Sequence, residues 1–342
     1  MIKPTQAILF ALKFPTLTGH CARTLAHTMG EKPLDSVLLQ TAKAIVPALE
    51  PGKHKGQYGC IGIIGGSFEY TGAAYYAAMT TLRTGGDLAH IFCTNDAAVP
   101  IKSYSPELIV HPFLDDPDAV NLIKVWLPRL HTLVIGPGLG RSDNVMKTVA
   151  DIISLCRDDS SPKGKKLLVI DADGLFLVTS KPELIRGYPH GAILTPNAIE
   201  FSRLAKAVMQ ENWEPTSTPD SSGVLELAQR LGPSITIVHK GAVDVIAHGG
   251  SGVVAKCCAT GSNRRCGGQG DLLSGALGLF YAWASMSSHQ LTYPGSVVAA
   301  YAACMLTKQC NQQAFVRHGR SMLTTDMIKE IHSAFNCLFE QG

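Results

Sequence analysis

The chain reads as an α/β protein with a mainly parallel central sheet covered by helices on both faces. Three observations carry that expectation. Short, β-rich apolar runs alternate with helical patterns from Pro51 onward, as crossover-connected parallel strands require. Loops bearing glycine, proline or acid follow the runs repeatedly, and ligands collect beyond the C-terminal ends of strands in open sheets. No internal repeat or linker splits the pattern, so residues 35–340 are expected to form a single domain, with 1–34 as an N-terminal tail.

Taken in order, strands are expected at Tyr58–Ile64, Leu88–Cys93, Thr132–Ile135, Leu167–Ile170, Ala192–Leu194 and Ile235–His239. Val243–Ala247 and Val253–Lys256 flank His248-Gly249-Gly250-Ser251-Gly252 and form a hairpin pattern. The 3.6-residue period predicts helices over Ser36–Ala48, Gly72–Arg83, Asn144–Cys156, Ala198–Met209, Val224–Leu231, Asp271–Ala284, Ser296–Lys308 and Thr325–Phe339. Asp158–Lys166 and Gln210–Ser222 are polar and carry Pro or Ser, which predicts surface loops.

Composition narrows the function. A length of 342 residues with 46% hydrophobic content supports a sizeable core, and 30 Lys+Arg against 27 Asp+Glu leave a net charge of +3. That balance excludes a polybasic nucleic-acid surface. The 10 cysteines include no C-x-x-C pair, which predicts reduced, buried thiols rather than a disulfide framework; Cys257, Cys258 and Cys266 read as packing residues because zinc spacing is missing. No apolar run reaches the ~20 residues that span a bilayer, so no membrane role is expected. Residues 1–30 hold Lys3, Lys13 and Arg23 and no acid. That suits either a mitochondrial transit peptide or a short tail, so the location is mitochondrial, cytoplasmic or both.

The most specific signal is Arg264-Arg265-Cys266-Gly267-Gly268-Gln269-Gly270-Asp271, which runs straight into the apolar stretch Leu272–Trp283. Glycines strip side chains from a loop that opens a helix, so backbone N–H groups can meet an anion. A carboxylate among such groups suits a base acting on a hydroxyl beside a bound phosphate.

Other loops are weaker alone. Gly136-Pro137-Gly138-Leu139-Gly140-Arg141 lacks the G-x-G-x-x-G order of a dinucleotide fingerprint, and reads as a tight turn or a close backbone approach to substrate. Asn197-Ala198-Ile199-Glu200 is a capping box; beyond that, Glu200 could organise a Mg²⁺ through water. Asp171 and Asp173 either close a turn or add negative charge near a metal. In Lys240-Gly241-Ala242-Val243-Asp244, the lysine could meet nucleotide phosphates with Asp244 near a ribose.

Taken together these motifs resemble the ATP/ADP-dependent NAD(P)H-hydrate dehydratases of the ribokinase-like superfamily. The resemblance rests on Gly65-Gly66-Ser67 with Tyr70-Thr71-Gly72-Ala73, the Gly136–Gly140 loop, Thr195-Pro196-Asn197 with Glu200, Lys240-Gly241, and Arg264 through Asp271. It covers about residues 35 to 335. Gly-Gly-Gln-Gly-Asp after Arg-Arg-Cys resembles the eukaryotic, ATP-using branch.

The resemblance implies a three-layer sandwich with ATP as co-substrate and Mg²⁺ as cofactor. ATP would lie against Lys240, Gly241, Ala242, Val243 and Asp244 and against Gly261, Ser262, Asn263, Arg264, Arg265, Cys266, Gly267, Gly268, Gln269 and Gly270. Hydrated NADH or NADPH would contact Gly140, then Asn197, Ala198, Ile199, Glu200, Phe201, Ser202 and Arg203, and Asp271 as the catalytic base. Such enzymes act on the S epimer, which a separate epimerase supplies; self-association into a homo-oligomer stays open. An ordinary ribokinase-like kinase for a vitamin-precursor alcohol would use the same base and anion loop, and so would an idle nucleotide-binding protein keep the fold. Those readings stand as alternatives.

Overall fold

Strand order is what positions the site. The computed structural model describes residues 34–159, 161, 165–209 and 221–340; the N-terminal tail and most of the expected loop over 210–222 lie outside the described residues, as do 160 and 162–164 of the other loop. The first helix, α1 (Leu34–Ile45), is followed by the interior strand β1 (Cys60–Ile64). The chain then runs outward through α2 (Thr71–Thr84), β2 (Leu88–Phe92), α3 (Asn95–Tyr104), β3 (Ile109–His111) and α4 (Ala119–Lys124). It returns to the other side of β1 with β4 (Thr132–Ile135), and proceeds through α5 (Asp143–Asp158), β5 (Leu167–Ile170), α6 (Ala172–Ser180), β6 (Ala192–Leu194), α7 (Ala198–Met209), α8 (Ser221–Leu231) and β7 (Ile235–His239).

The hairpin β8 (Asp244–His248) and β9 (Val254–Cys257) finishes a 9-stranded sheet of order β3-β2-β1-β4-β5-β6-β7-β8-β9. Pairing is parallel from β3 to β7 and antiparallel across β7, β8 and β9. The connection reverses direction between β1 and β4, which makes the ends of these neighbours the topological switch point.

The strands are apolar along their length because both faces are covered. In β4, Val134 packs into one core layer while Leu133 and Ile135 pack into the other, following the two-residue period of a strand. The first layer contains α9 (Gln269–Met286), α10 (Gly295–His318), α11 (Thr324–Lys329) and α12 (Ile331–Phe335) together with α1 and α2; the second contains α5, α6, α7 and α8.

Helix α9 is the most deeply set, being buried from Leu272 to Ala284. Glycines seat it. A Cβ at Gly275 would stand 2.1 Å from the Ala77 carbonyl of α2, and one at Gly278 would stand 2.6 Å from Val134 of β4. Thr81 Oγ1 donates to the Gly275 carbonyl at 3.1 Å across the same contact.

Several expectations needed correction. Elements α3, β3, α4 and α6 were not foreseen: α3 carries an internal Pro100, β3 has 3 residues, and α6 holds Gly174 and β-branched residues that weaken its helical signal. The single helix expected over Thr325–Phe339 is broken into α11, α12 and a final turn over Asn336–Glu340. Cys60, Cys93, Cys156, Cys257, Cys304 and Cys310 are buried free thiols, as expected, but Cys337 is disulfide-bonded, so the thiols are not all reduced. Among the described residues no helix is long and apolar enough to cross a membrane.

Candidate active site

The loops leaving β1 and β4 lock together at the switch point. Gly66 N–H donates to the carbonyls of Pro137 and Gly138 at 3.0 and 3.1 Å. Side chains are excluded there by contact: a Cβ on Gly65 would meet the Pro137 carbonyl at 2.1 Å. Gly136, at φ +126, leaves 1.7 Å between such a Cβ and the Asp171 carbonyl, so the turn after β5 presses against the exit of β4.

That turn carries the centre of the site. Ala172 stands at φ +47, a left-handed conformation rare for a residue with a side chain, and it sends its two neighbours apart. Asp171 is 1% exposed and turns inward. It accepts from Thr195 Oγ1 at 2.7 Å and from Lys240 Nζ at 2.8 Å. Asp173 turns the other way, accepting from Gly140 N–H at 3.1 Å and from Arg141 Nε at 2.8 Å.

The expected base arrives from the opposite side. The loop entering α9 brings Gly270 so close that its absent Cβ would lie 3.7 Å from both Asp171 Oδ2 and Lys240 Nζ. Asp271 follows in the first turn of α9. Burial pushes its carboxyl up, the Asp171 charge adds to this, and Lys240 opposes it, leaving a pKa of about 7. Gly268, at φ +94, is the N-cap and offers no side-chain cap hydrogen bond to the first-turn N–H groups. A Cβ there would run into Thr324 and Tyr76 at 2.8 Å.

Lys240 joins the acids. Burial disfavours its charge, but Asp171 and Glu200 outweigh that effect and hold the ammonium above its ordinary pKa. Glu200 Oε2 lies 3.9 Å from Lys240 Nζ, and burial raises the Glu200 carboxyl despite Lys240 and the backbone of Asn197. The expected capping box is present: Asn197 Oδ1 accepts from the N–H groups of Ile199 and Glu200 at 3.0 Å, and Glu200 Oε2 accepts from Asn197 N–H at 2.8 Å. Ala198, Ile199 and Arg203 are exposed on this helix start, and Ser202 is half-buried. Phe201 is different. Its ring is 1% exposed in the core beneath α7 and packs edge-on to His239, so its side chain cannot line a ligand and the expectation is corrected for that group.

The two loops expected to meet ATP are strapped by α10. Lys308 Nζ contacts Asp244 at 3.0 Å, Ala242 O at 2.8 Å and Cys257 O at 3.2 Å. Asp244 also accepts from Gly241 N–H at 2.9 Å, so its carboxylate shapes the Lys240–Asp244 turn, while Ala242 and Val243 stay exposed. One helical turn further on, Asn311 receives Ser262 N–H at 2.6 Å and donates to Arg264 O at 3.3 Å. Gln269 ties Arg264 O at 3.1 Å to Cys266 Sγ at 3.2 Å from inside the loop. Thr324 of α11 holds the Gly267 carbonyl. Asn263, Arg265 and Gly267 are exposed, while Gly261 and Arg264 are half-buried.

Sequence reasoning gave Asp171 too little weight and did not single out Lys308, Asn311 or Thr324. A signal was there for two of them. Lys308 and Asn311 interrupt a helix whose buried positions from Ala302 onward are otherwise Ala, Leu and Cys, and polar groups so placed need partners.

A family profile for NAD(P)H-hydrate dehydratase matches residues 61–333. The chain is 52% identical over 305 residues to the ATP-dependent (S)-NAD(P)H-hydrate dehydratase of Homo sapiens, covering 88% of this chain and 84% of that protein. It is 52% identical over 309 residues to the protein of the same name from Ciona intestinalis, covering 90% and 82%. Among solved structures, a ribokinase-like superfamily protein from Enterococcus faecalis aligns with TM-score 0.72 at 18% identity over 89% of this chain and 95% of that one. An ADP/ATP-dependent NAD(P)H-hydrate dehydratase from Bacillus subtilis, co-crystallised with ATP/Mg²⁺, aligns at 0.62 and 20% identity over 87% and 97%. The fold is therefore ribokinase-like, and the chain belongs to the NAD(P)H-hydrate dehydratase family.

Proposed function

We propose that this protein uses ATP to dehydrate the S epimer of hydrated NADH or NADPH back to the reduced cofactor. Family membership supports the reaction, and one observation carries the residue-level reading: a carboxyl with a pKa of about 7 stands in the first turn of a helix that no side chain caps. At neutral pH such a group is both substantially ionised and a stronger base than an ordinary carboxylate.

The chemistry follows from leaving groups. Hydrated nicotinamide carries a hydroxyl on a ring carbon bonded to nitrogen, and hydroxide leaves poorly. Asp271 takes the hydroxyl proton as the oxygen attacks the γ-phosphoryl of ATP, releasing ADP. The N–H groups of Gly268 to Asp271 receive charge growing on the transferring oxygens. The ring nitrogen lone pair then expels phosphate, and loss of the neighbouring proton restores the double bond. Lys240 keeps the buried acids neutralised beside Asp271 and presents its remaining donors to the phosphates. The segments 240–244 and 261–270 cradle ATP, and Gly140, Asn197–Glu200, Ser202, Arg203 and Asp271 face the dinucleotide.

The donor set is compatible with Mg²⁺ held mainly by the nucleotide. Asp171 and Glu200 already face Lys240, and among the described residues no group of three or more His, Cys, Asp or Glu could hold an ion. Glu200 would reach Mg²⁺ through water, and the bound ion would neutralise charge on the triphosphate. An epimerase supplying the S form is the expected functional partner.

The test is direct. Purified protein with hydrated NADH and ATP-Mg²⁺ should restore dihydronicotinamide absorbance while releasing phosphate. A stable phosphorylated alcohol without recovery would favour the vitamin-precursor kinase.

A further inference from the structure

We propose that Arg141 binds a phosphate group of the hydrated dinucleotide and so contributes to holding that substrate. The inference rests on the substrate reading above and adds a residue to it.

Arg141 is held on two sides and open on a third. Its Nε donates to Asp173 Oδ1 at 2.8 Å, and its guanidinium carbon lies 4.3 Å from the centre of the Phe176 ring. Yet the side chain remains 56% exposed. Long surface arginines usually sample many rotamers, and fixing one costs free energy that binding must then offset. Here the fixing is already done by a carboxylate and an aromatic face. Among the described residues the two terminal Nη groups have no hydrogen-bond partner, so the fork that recognises phosphate in pairs is free.

Its position relative to the base is set through one turn. Asp173, which holds Arg141, and Asp171, which raises Asp271, are separated only by Ala172 at φ +47. Arg141 is thus tied to the same turn that adjusts the base. The neighbouring Gly140, at φ +73, adds a gap on this side: a Cβ there would stand 3.1 Å from Ser67 Oγ. That hydroxyl is buried and has no hydrogen-bond partner among the described residues, which is a cost unless a ligand satisfies it. An oxyanion at Gly140 would meet the Arg141 fork and could satisfy Ser67.

Phosphate in this substrate has two sources, the diphosphate bridge common to both dinucleotides and the 2′-phosphate of the NADPH form. Arg141→Ala and Arg141→Lys should be assayed with ATP against hydrated NADH and hydrated NADPH separately, alongside wild type. The expected result is a KM for dinucleotide raised about tenfold in Arg141→Ala, with kcat and the KM for ATP within about twofold, and partial recovery in Arg141→Lys because charge returns without the fork. An equal rise for both substrates assigns the diphosphate; a rise confined to hydrated NADPH assigns the 2′-phosphate. Unchanged KM for both dinucleotides, or a rise for ATP in their place, overturns the proposal. Should wild type turn over neither dinucleotide, the substrate reading fails first and this inference falls with it.

Discussion

The helix starts of α6 and α9 each carry an aspartate that faces Lys240 across the site, in different surroundings. At the turn into α6, Asp171 is sealed in, bonded to Thr195 and Lys240, and its charge is matched. In the first turn of α9, Asp271 is coupled to Lys240 more weakly than Asp171 is and makes no such pairing, and its pKa climbs to about 7. The residue type is the same, but Asp171 is the N-cap of α6 and Asp271 lies inside the first turn of α9; one carboxylate is paired, and the other, unpaired and buried, has its pKa raised.

The largest expected effect comes from removing the mobile proton site. Asp271→Asn should lower turnover roughly 10³-fold while nucleotide affinity, followed by titration, stays near wild type. The same variant tests the raised pKa by stability. Asp271 binds its proton more tightly folded than unfolded, so its favourable contribution is complete below pH 3.8 and is lost as pH rises through about 7. Asp271→Asn should therefore match wild type near pH 4 and exceed it at pH 8, by on the order of 2 kcal/mol in denaturant melts. Equal stability at both pH values would break the distinction between the two acids.

Asp171→Asn should cost about 3 kcal/mol of stability, because it strips a buried ammonium of its partner, and thermal unfolding reads this directly. Activity adds a sharper check. Wild-type kcat/KM should fall as pH drops through about 7, where Asp271 becomes protonated. Asp171 raises the Asp271 pKa and Lys240 lowers it. The acid limb should accordingly move to lower pH in Asp171→Asn and to higher pH in Lys240→Met, each by roughly one unit. Movement of both variants in one direction would refute the assigned couplings. The smallest effect belongs to Asn197→Ala, which opens a cap on α7 and should cost about 1 kcal/mol, with little change in the pH profile.

Much of this arrangement was readable from residues. The apolar runs and the hairpin around residues 248–252 gave the sheet, since each strand's pattern is local. The glycine loop ahead of Asp271 and the capping box at Asn197 are also local patterns, and both stand as expected. What stayed hidden was relational. Asp171 looks like a turn residue until Lys240, 69 positions later, reaches it. Lys308 looks like an ordinary helix lysine until it is seen to hold Asp244 and Cys257. Phe201 shares a segment with exposed residues, and only the helical period, resolved against the core, turns it inward.

The bare backbone at Gly275 makes α9 a key cut for one lock. With a carbonyl of α2 filling the notch and Gly278 flush against β4, the rod carrying Asp271 in its first turn is gripped on two sides. A single methyl at 275 would press on that carbonyl and shift the end that carries Asp271 from a distance.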